Sequence, residues 1–196
     1  MSLKEDIVGV ILAGGKSRRM GTAKALLKFH GVPLIQHIAA VMMKIFASVV
    51  IVADDGAEYA FLNLPTHPDI KKNCGPLGGI HSAFVNTHAE KIFVVSCDEP
   101  FISKDLIEYI CDFSSTSDIK VPSKRGMVEP LCGLYSRNVL PVVERCIEFD
   151  DLKVKHLLLQ CHTTTIPISP TLPFYKDHLF ANLNESSDFE AALHHH

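Results

Sequence analysis

Three short runs of apolar, mostly β-branched residues constrain this chain more than anything else in it. They are Ile7-Val8-Gly9-Val10-Ile11-Leu12, Ser48-Val49-Val50-Ile51-Val52-Ala53 and Lys91-Ile92-Phe93-Val94-Val95-Ser96. A strand with one wet face alternates apolar and polar residues; an unbroken apolar run is what a strand covered on both faces requires. Longer segments with helical spacing separate them. Pro33–Phe46 opens on a proline suited to a first helical turn, and Leu77–His88 follows a cluster of glycines.

The same alternation continues to the end of the chain. A short helix is expected near Glu58–Leu62, a helix over Lys104–Cys111 and a solvated loop at Ser114–Ser117. Strands are expected over Ile119–Pro122, Leu131–Tyr135 and Thr163–Ile168, and helices over Val139–Ile147 and Leu152–Gln160. A strand at Leu179–Leu183 and a short last helix close the pattern. Strands alternating with helices define a three-layer α/β fold around a mostly parallel sheet. With 196 residues and no repeat or linker, one domain is expected over residues 1–193, with His194, His195 and His196 read as a tag.

Composition narrows the function. A net charge of -3 supplies no basic field for nucleic acid, so phosphate contacts must come from a local cluster. No apolar run is long enough to span a bilayer. The six cysteines form no C-x-x-C pair, which argues against zinc, and no secretory leader is recognisable, so reduced thiols in a cytoplasmic protein are expected. The eight histidines ahead of the closing three pair with no Ser or Cys nucleophile, which leaves covalent catalysis without support.

In sheets of this kind ligands bind beyond the carboxyl ends of the strands, so polar motifs that directly follow strands are the candidates. The first is Leu12-Ala13-Gly14-Gly15-Lys16-Ser17-Arg18-Arg19-Met20-Gly21, with Lys24 three residues on. Glycines let a backbone approach a phosphate chain, and crowded cations are relieved by an anion. A glycine turn with solvated basic residues has the same composition. The loop is not a Walker A motif, because Val10 stands where its first glycine belongs, and the dinucleotide G-x-G-x-x-G pattern is absent. The second candidate is Cys97-Asp98-Glu99-Pro100-Phe101, after the third apolar run. A carboxylate there suits magnesium, which takes one or two carboxylates and completes its shell with phosphate oxygens and water. A helix cap or surface turn is the alternative for Asp98. Glu99 either assists it or turns away.

The stretch LAGGKSRRMG with its following lysine resembles the signature of nucleotidyltransferases with the Rossmann-like nucleotide-diphospho-sugar transferase fold, and most closely the molybdenum cofactor guanylyltransferases. The resemblance implies a single Rossmann-like domain with a mostly parallel, mixed sheet. It also implies transfer of GMP from GTP to the phosphate of molybdenum-molybdopterin, with Mg2+ or Mn2+. Leu12, Ala13, Gly14, Gly15 and Lys24 would hold the triphosphate, Arg18 and Arg19 would add contacts to its oxygens, and Asp98 would bind the metal.

Further segments match in order. Gly75-Pro76-Leu77-Gly78-Gly79-Ile80 resembles the family's G-P-L-x-G-I loop near base and ribose, which brings in Gly75 and Gly78. Asp69 matches a nucleotide-contacting acid, and Asp54 falls where relatives often carry a base-contacting Asn. Glu129-Pro130-Leu131 and Asn182-Leu183-Asn184 with Asp188 resemble segments on the acceptor side, making Glu129, Asn182 and Asn184 candidates there. For the asparagines, turn or cap chemistry is the alternative.

One departure stands out: Ala23 occupies the place where guanylyltransferases commonly have an aspartate. Three other readings remain open: a relative using CTP or another phosphorylated acceptor, a GTP-binding regulator without turnover, and a dinucleotide-dependent oxidoreductase. The expected partners are the two small substrates and, transiently, cofactor-synthesis proteins or recipient enzymes. Neither nucleic acid nor membrane is expected.

Overall fold

The computed structural model describes residues 3–14 and 24–181. Its centre is an eight-stranded sheet built around β1 (Lys4–Leu12), which pairs in parallel with β4 (Phe46–Val52) on one side and β6 (Lys91–Ser96) on the other. Beyond β4 lies β5 (Thr66–His67), also parallel. Beyond β6 the sheet changes character, because β9 (Cys132–Ser136) runs antiparallel to both β6 and β7 (Ile119–Lys124). Parallel β10 (Thr163–Pro167) closes that edge, and β8 (Met127–Val128) makes a hairpin with β7. A separate two-stranded hairpin joins β2 (Lys28–Phe29) to β3 (Val32–Pro33). The sheet is therefore mixed, as the family resemblance implied.

Among the described residues five α-helices cover the two faces. On one lie α1 (Leu34–Met42) and α3 (Lys104–Asp112); on the other lie α2 (Gly75–Thr87), α4 (Leu140–Glu148) and α5 (Val154–Gln160). The period-two geometry of a strand divides each apolar run between two cores. Ile7 and Ile11 of β1 pack with Ile35, Ile38 and Met42 of α1, while Val10 and Leu12 pack with Leu77, Ile80 and Phe84 of α2. Phe93 and Val95 of β6 face the first core, Ile92 and Val94 the second. Both faces are dry, which is why polar residues occur only at the ends of these runs, at Ser48, Lys91 and Ser96. Among the described residues no helix is long and apolar enough to cross a membrane.

Several expected boundaries move. The helix expected over Pro33–Phe46 ends at Met42, and Pro33 belongs to the β2–β3 hairpin, where it pairs with Lys28. Phe46 opens β4 instead, its ring stacked on Phe93 at 5.7 Å. Tertiary burial overrides a local periodicity that runs on past Met42. The strand expected from Leu179 is a turn in its described part, closed by the amides of Leu179 and Ala181 donating to the carbonyls of Lys176 and His178. The remainder of that strand and the short last helix lie outside the described residues.

Candidate active site

Because β1 is flanked by β4 and β6, the connection through α1 lies on one face and that through α2 on the other. A crevice opens where the two connections diverge, at the carboxyl ends of these strands. The structure has a cleft of about 730 Å³ there. Its floor continues the ladder: the Ala13 amide donates to the Val52 carbonyl at 2.9 Å, Ala53 to His67 at 3.0 Å, and Cys97 to Leu12 at 3.1 Å. These bonds fix the three strand ends relative to one another.

Lys24 and Asp98 meet inside this cleft. Lys24 opens a single 3-10 turn (Lys24–Leu26) whose Ala25 is buried, and Asp98 follows β6 by two residues. The Lys24 Nζ donates to Asp98 Oδ2 at 2.7 Å, with side chains 14% and 21% exposed. Ser96 Oγ, at the end of β6, donates to Asp98 Oδ1 at 2.5 Å. The carboxylate is thus aimed by a strand-end hydroxyl and paired with the Lys24 ammonium, yet it is still open to the cleft.

The opposite wall begins with Asp69. It is half-buried, and its Oδ1 has no hydrogen-bond partner. Burial raises its pKa, the Asp54 carboxylate raises it further, and Lys72 opposes them. Asp54 sits at the exposed rim in an ion pair with Lys72. Tyr59 contributes a buried ring, and its hydroxyl donates to the Ala13 carbonyl at 3.4 Å.

The first turn of α2 completes the wall. The helix starts two residues earlier than the spacing suggested, so Gly75 and Pro76 belong to it. Gly75 has φ +57°, a left-handed conformation that favours glycine, and it opens directly onto the cleft. Gly79 has a different role: a Cβ there would lie 2.8 Å from Leu12 Cδ2, so any larger residue would have to displace the Leu12 side chain between α2 and β1.

The cleft brings together Leu12, Ala13, Gly14, Lys24, Asp54, Asp69, Gly75 and Asp98 from the residues singled out in the sequence. Gly78 is not among the lining residues; a Cβ there would meet the Lys71 carbonyl at 2.8 Å, which makes it a packing position. Glu129 does not line the cleft either, lying in the turn before β9 with its amide on the Pro122 carbonyl at 3.0 Å. Burial raises its pKa against the pull of Lys155 and Lys124. Gly15, Lys16, Arg18, Arg19, Asn182, Asn184 and Asp188 lie outside the described residues.

Glu99 turns away from Asp98 into the protein, 4% exposed, with Oε2 unpartnered. Burial, then Asp98, then Glu129 push its pKa well above the usual carboxyl range. Sequence reasoning missed Ser96, Tyr59, Asn73 and Leu131, all of which line the cleft. Ser96 was detectable as the polar last residue of an apolar run. Tyr59 lies in the short helix expected near Glu58–Leu62, a 3-10 helix over Ala57–Leu62, but nothing local marks its ring as cleft-facing, and Asn73 comes from the turn before α2.

An open crevice at the switch point of a doubly covered sheet places the chain among α/β folds whose ligand sites lie at strand ends. The chain belongs to the MobA-like NTP transferase domain family, whose profile matches residues 9–164. Over 191 residues it is 32% identical to a probable molybdenum cofactor guanylyltransferase of Carboxydothermus hydrogenoformans, covering 96% of each chain. A protein of the same name from Flavobacterium johnsoniae is 33% identical over 185 residues, covering 94% of this chain and 95% of that one. The molybdopterin-guanine dinucleotide biosynthesis protein A of Archaeoglobus fulgidus superposes with a TM-score of 0.80 at 23% identity, over 94% and 96% of the two chains. That likeness shows the nucleotide-diphospho-sugar transferase type of fold.

Proposed function

We propose that this chain transfers GMP from GTP to the phosphate of molybdenum-molybdopterin, forming the guanine dinucleotide and releasing pyrophosphate. The observation that carries this reading is the Lys24–Asp98 pair at 2.7 Å inside the cleft, in a chain of the NTP transferase family. The names of its full-length relatives supply the nucleotide and the acceptor.

In this reaction an acceptor phosphate oxygen forms a bond to the α-phosphorus of GTP, and the bond from that phosphorus to the α–β bridging oxygen breaks in line. The acceptor arrives ionised, so no general base is required, and rate comes from alignment and charge neutralisation. Lys24 is held at the cleft by its turn and can exchange a carboxylate partner for phosphate oxygens. Gly14 leaves the backbone open to close approach by the triphosphate, and Arg18 and Arg19 offer paired donors to its oxygens. Asp69, with one carboxylate oxygen unpartnered, and Asp54 at the rim are acceptors for the N–H groups of guanine or the ribose hydroxyls. Glu129, Asn182 and Asn184 are assigned to the acceptor side.

Among the described residues no cluster of three or more His, Cys, Asp or Glu side chains would hold a metal by itself. One half-buried carboxylate beside a serine hydroxyl nevertheless fits magnesium, which draws most of its ligands from phosphate and water. Asp98 would hold it, and bound there it supplies positive charge to the phosphate oxygens.

The test is pyrophosphate release from each nucleoside triphosphate, with magnesium, with and without molybdenum-molybdopterin. Release with GTP only when the cofactor is present is the expected result. Preference for CTP, or turnover with another phosphorylated acceptor, would reassign the substrate. Thermal stabilisation by GTP without turnover would make the chain a nucleotide-binding regulator.

A further inference from the structure

Lys24 and Asp98 sit on turns that belong to different parts of the chain, and a small apolar cluster separate from the two main cores lies between those turns. It consists of buried Phe29 and Leu34 with half-buried Leu27 and Phe101 packed against them. On the Lys24 side the chain runs straight from the 3-10 turn into this cluster: the Leu27 amide donates to the Lys24 carbonyl at 3.1 Å, and Leu34 to Leu27 at 2.9 Å. Phe29 is held from behind by His37, whose Nε2 hydrogen-bonds its carbonyl at 2.8 Å. On the Asp98 side Phe101 follows the carboxylate by three residues. The two phenyl rings meet edge to face, with centroids 5.4 Å apart and planes at 83°. The His178 ring also meets Phe101, at 4.8 Å and 66°.

We propose that Phe101, in ring contact with Phe29 and His178, is a positioning residue that sets the Lys24–Asp98 separation. The inference rests on the reading of that pair as the phosphate and metal clamp. Its physical content is that both turns are rooted in the first core, through Ala25 beside Lys24 and through Cys97 and Ile102 around Asp98, and that the ring contact links one turn directly to the other. Edge-to-face ring contacts have a defined geometry that aliphatic packing lacks. The Phe29–Phe101 contact therefore carries the rigidity of one turn to the other. Phe101 touches no substrate in this account and acts through Lys24 and Asp98.

Two measurements test it, the first independent of turnover. Competitive acetylation of lysines, read by mass spectrometry, reports how firmly Lys24 is held, with exposed Lys44 as the internal reference. Phe101→Ala should raise Lys24 labelling several-fold relative to Lys44, and Phe101→Tyr should restore the slow rate. Labelling of Lys24 that is the same in Phe101→Ala as in the natural chain overturns the proposal, whether or not the chain turns GTP over. If Phe101→Ala unfolds, Phe101→Leu keeps the apolar volume and is read the same way.

The second measurement is a kinetic cycle. Phe101→Ala should lower kcat by about ten- to a hundredfold, the scale of an ångström of misplacement, with KM for GTP little changed. In an Asp98→Ala background it should cost almost nothing more. Full additivity of the two losses overturns the positioning role. Absence of pyrophosphate release by the natural chain would instead reject the proposed function, and the labelling result would still decide the role of Phe101.

Discussion

The parallel half of the sheet and its antiparallel half treat their lysines in opposite ways. In the half formed by β1, β4 and β6, Lys24 pairs with the side-chain carboxylate of Asp98 inside the cleft. In the half formed by β7 and β9, Lys120 and Lys124 are 9% and 8% exposed and spend their ammonium groups on backbone carbonyls. Lys120 donates to Cys111 at 3.3 Å and Phe113 at 2.6 Å, covering the carboxyl end of α3. Lys124 holds the carbonyls of Lys176 and Asp177 and lies 5.2 Å from the Tyr175 ring centroid, pinning the C-terminal segment to the sheet.

Burial lowers the pKa of both Lys120 and Lys124. A cation whose partners are carbonyls of its own fold cannot release them without loosening that fold. A cation paired with a side chain beside an opening can change partner. Strand direction does not separate them, since β7 runs the same way as β1, β4 and β6; what differs is cover, because the end of α3 and the C-terminal segment close over the lysines of β7 while the ends of β1, β4 and β6 open on the cleft.

The hardest blow to this contrast would be an Asp98→Ala variant that keeps its rate. The expected loss is about a hundred- to a thousandfold in kcat, the scale of removing a key electrostatic group, with little change in melting temperature. Pyrophosphate release and a thermal melt on the same sample check both halves of the statement.

Exchanging the two kinds of lysine comes next. Lys24→Ala should weaken GTP binding and slow turnover while leaving stability nearly intact. Lys120→Met should lower stability by about 1–3 kcal/mol, because the carbonyls at the end of α3 lose their donor, and should leave KM for GTP unchanged. If Lys24→Ala mainly lowers the melting temperature, the distinction between exchangeable and fixed cations fails.

Gly79→Ala probes the wall between cleft and core. Its methyl must displace Leu12, with an expected cost of about 1–3 kcal/mol from overpacking, measurable by denaturant unfolding. A neutral result would mean that α2 is free to shift away from β1.

The smallest effect should come from His81 of α2, which is 4% exposed, has Nδ1 unpartnered and lies 3.7 Å from Glu144. Burial lowers its pKa, Glu144 opposes this and Lys71 adds to it. The unfolded chain therefore binds a proton that the folded chain resists. Stability from this group is present above the ordinary histidine value and is lost as pH falls through that value towards the lowered one. His81→Gln should flatten the dependence of melting temperature on pH in that window. An unchanged slope would show that His81 titrates like an exposed residue.

Much of this was legible in the residues themselves. Apolar runs that are short and rich in β-branched residues read as strands covered on both faces, so β1, β4 and β6 were readable from hydrophobicity, length and residue type together. The motifs that follow β1 and β6 were then candidates by position. The two-residue strands were not legible: Thr66 and His67 of β5 lie between Pro65 and Pro68, and two residues carry no period.

What the sequence settled by itself was the order of the elements and the chemistry of the residues at the strand ends, because burial on two faces and glycine-rich turns are local properties with local signatures. What only the tertiary structure decided was partnership. Lys24 and Asp98 are 74 residues apart in the chain and 2.7 Å apart in space. Ser96 aims Asp98, Glu99 turns inward beside it, and Phe101 meets Phe29. Such contacts depend on which strand lies beside which, and strand pairing is set by the packing of the whole sheet rather than by any stretch of sequence.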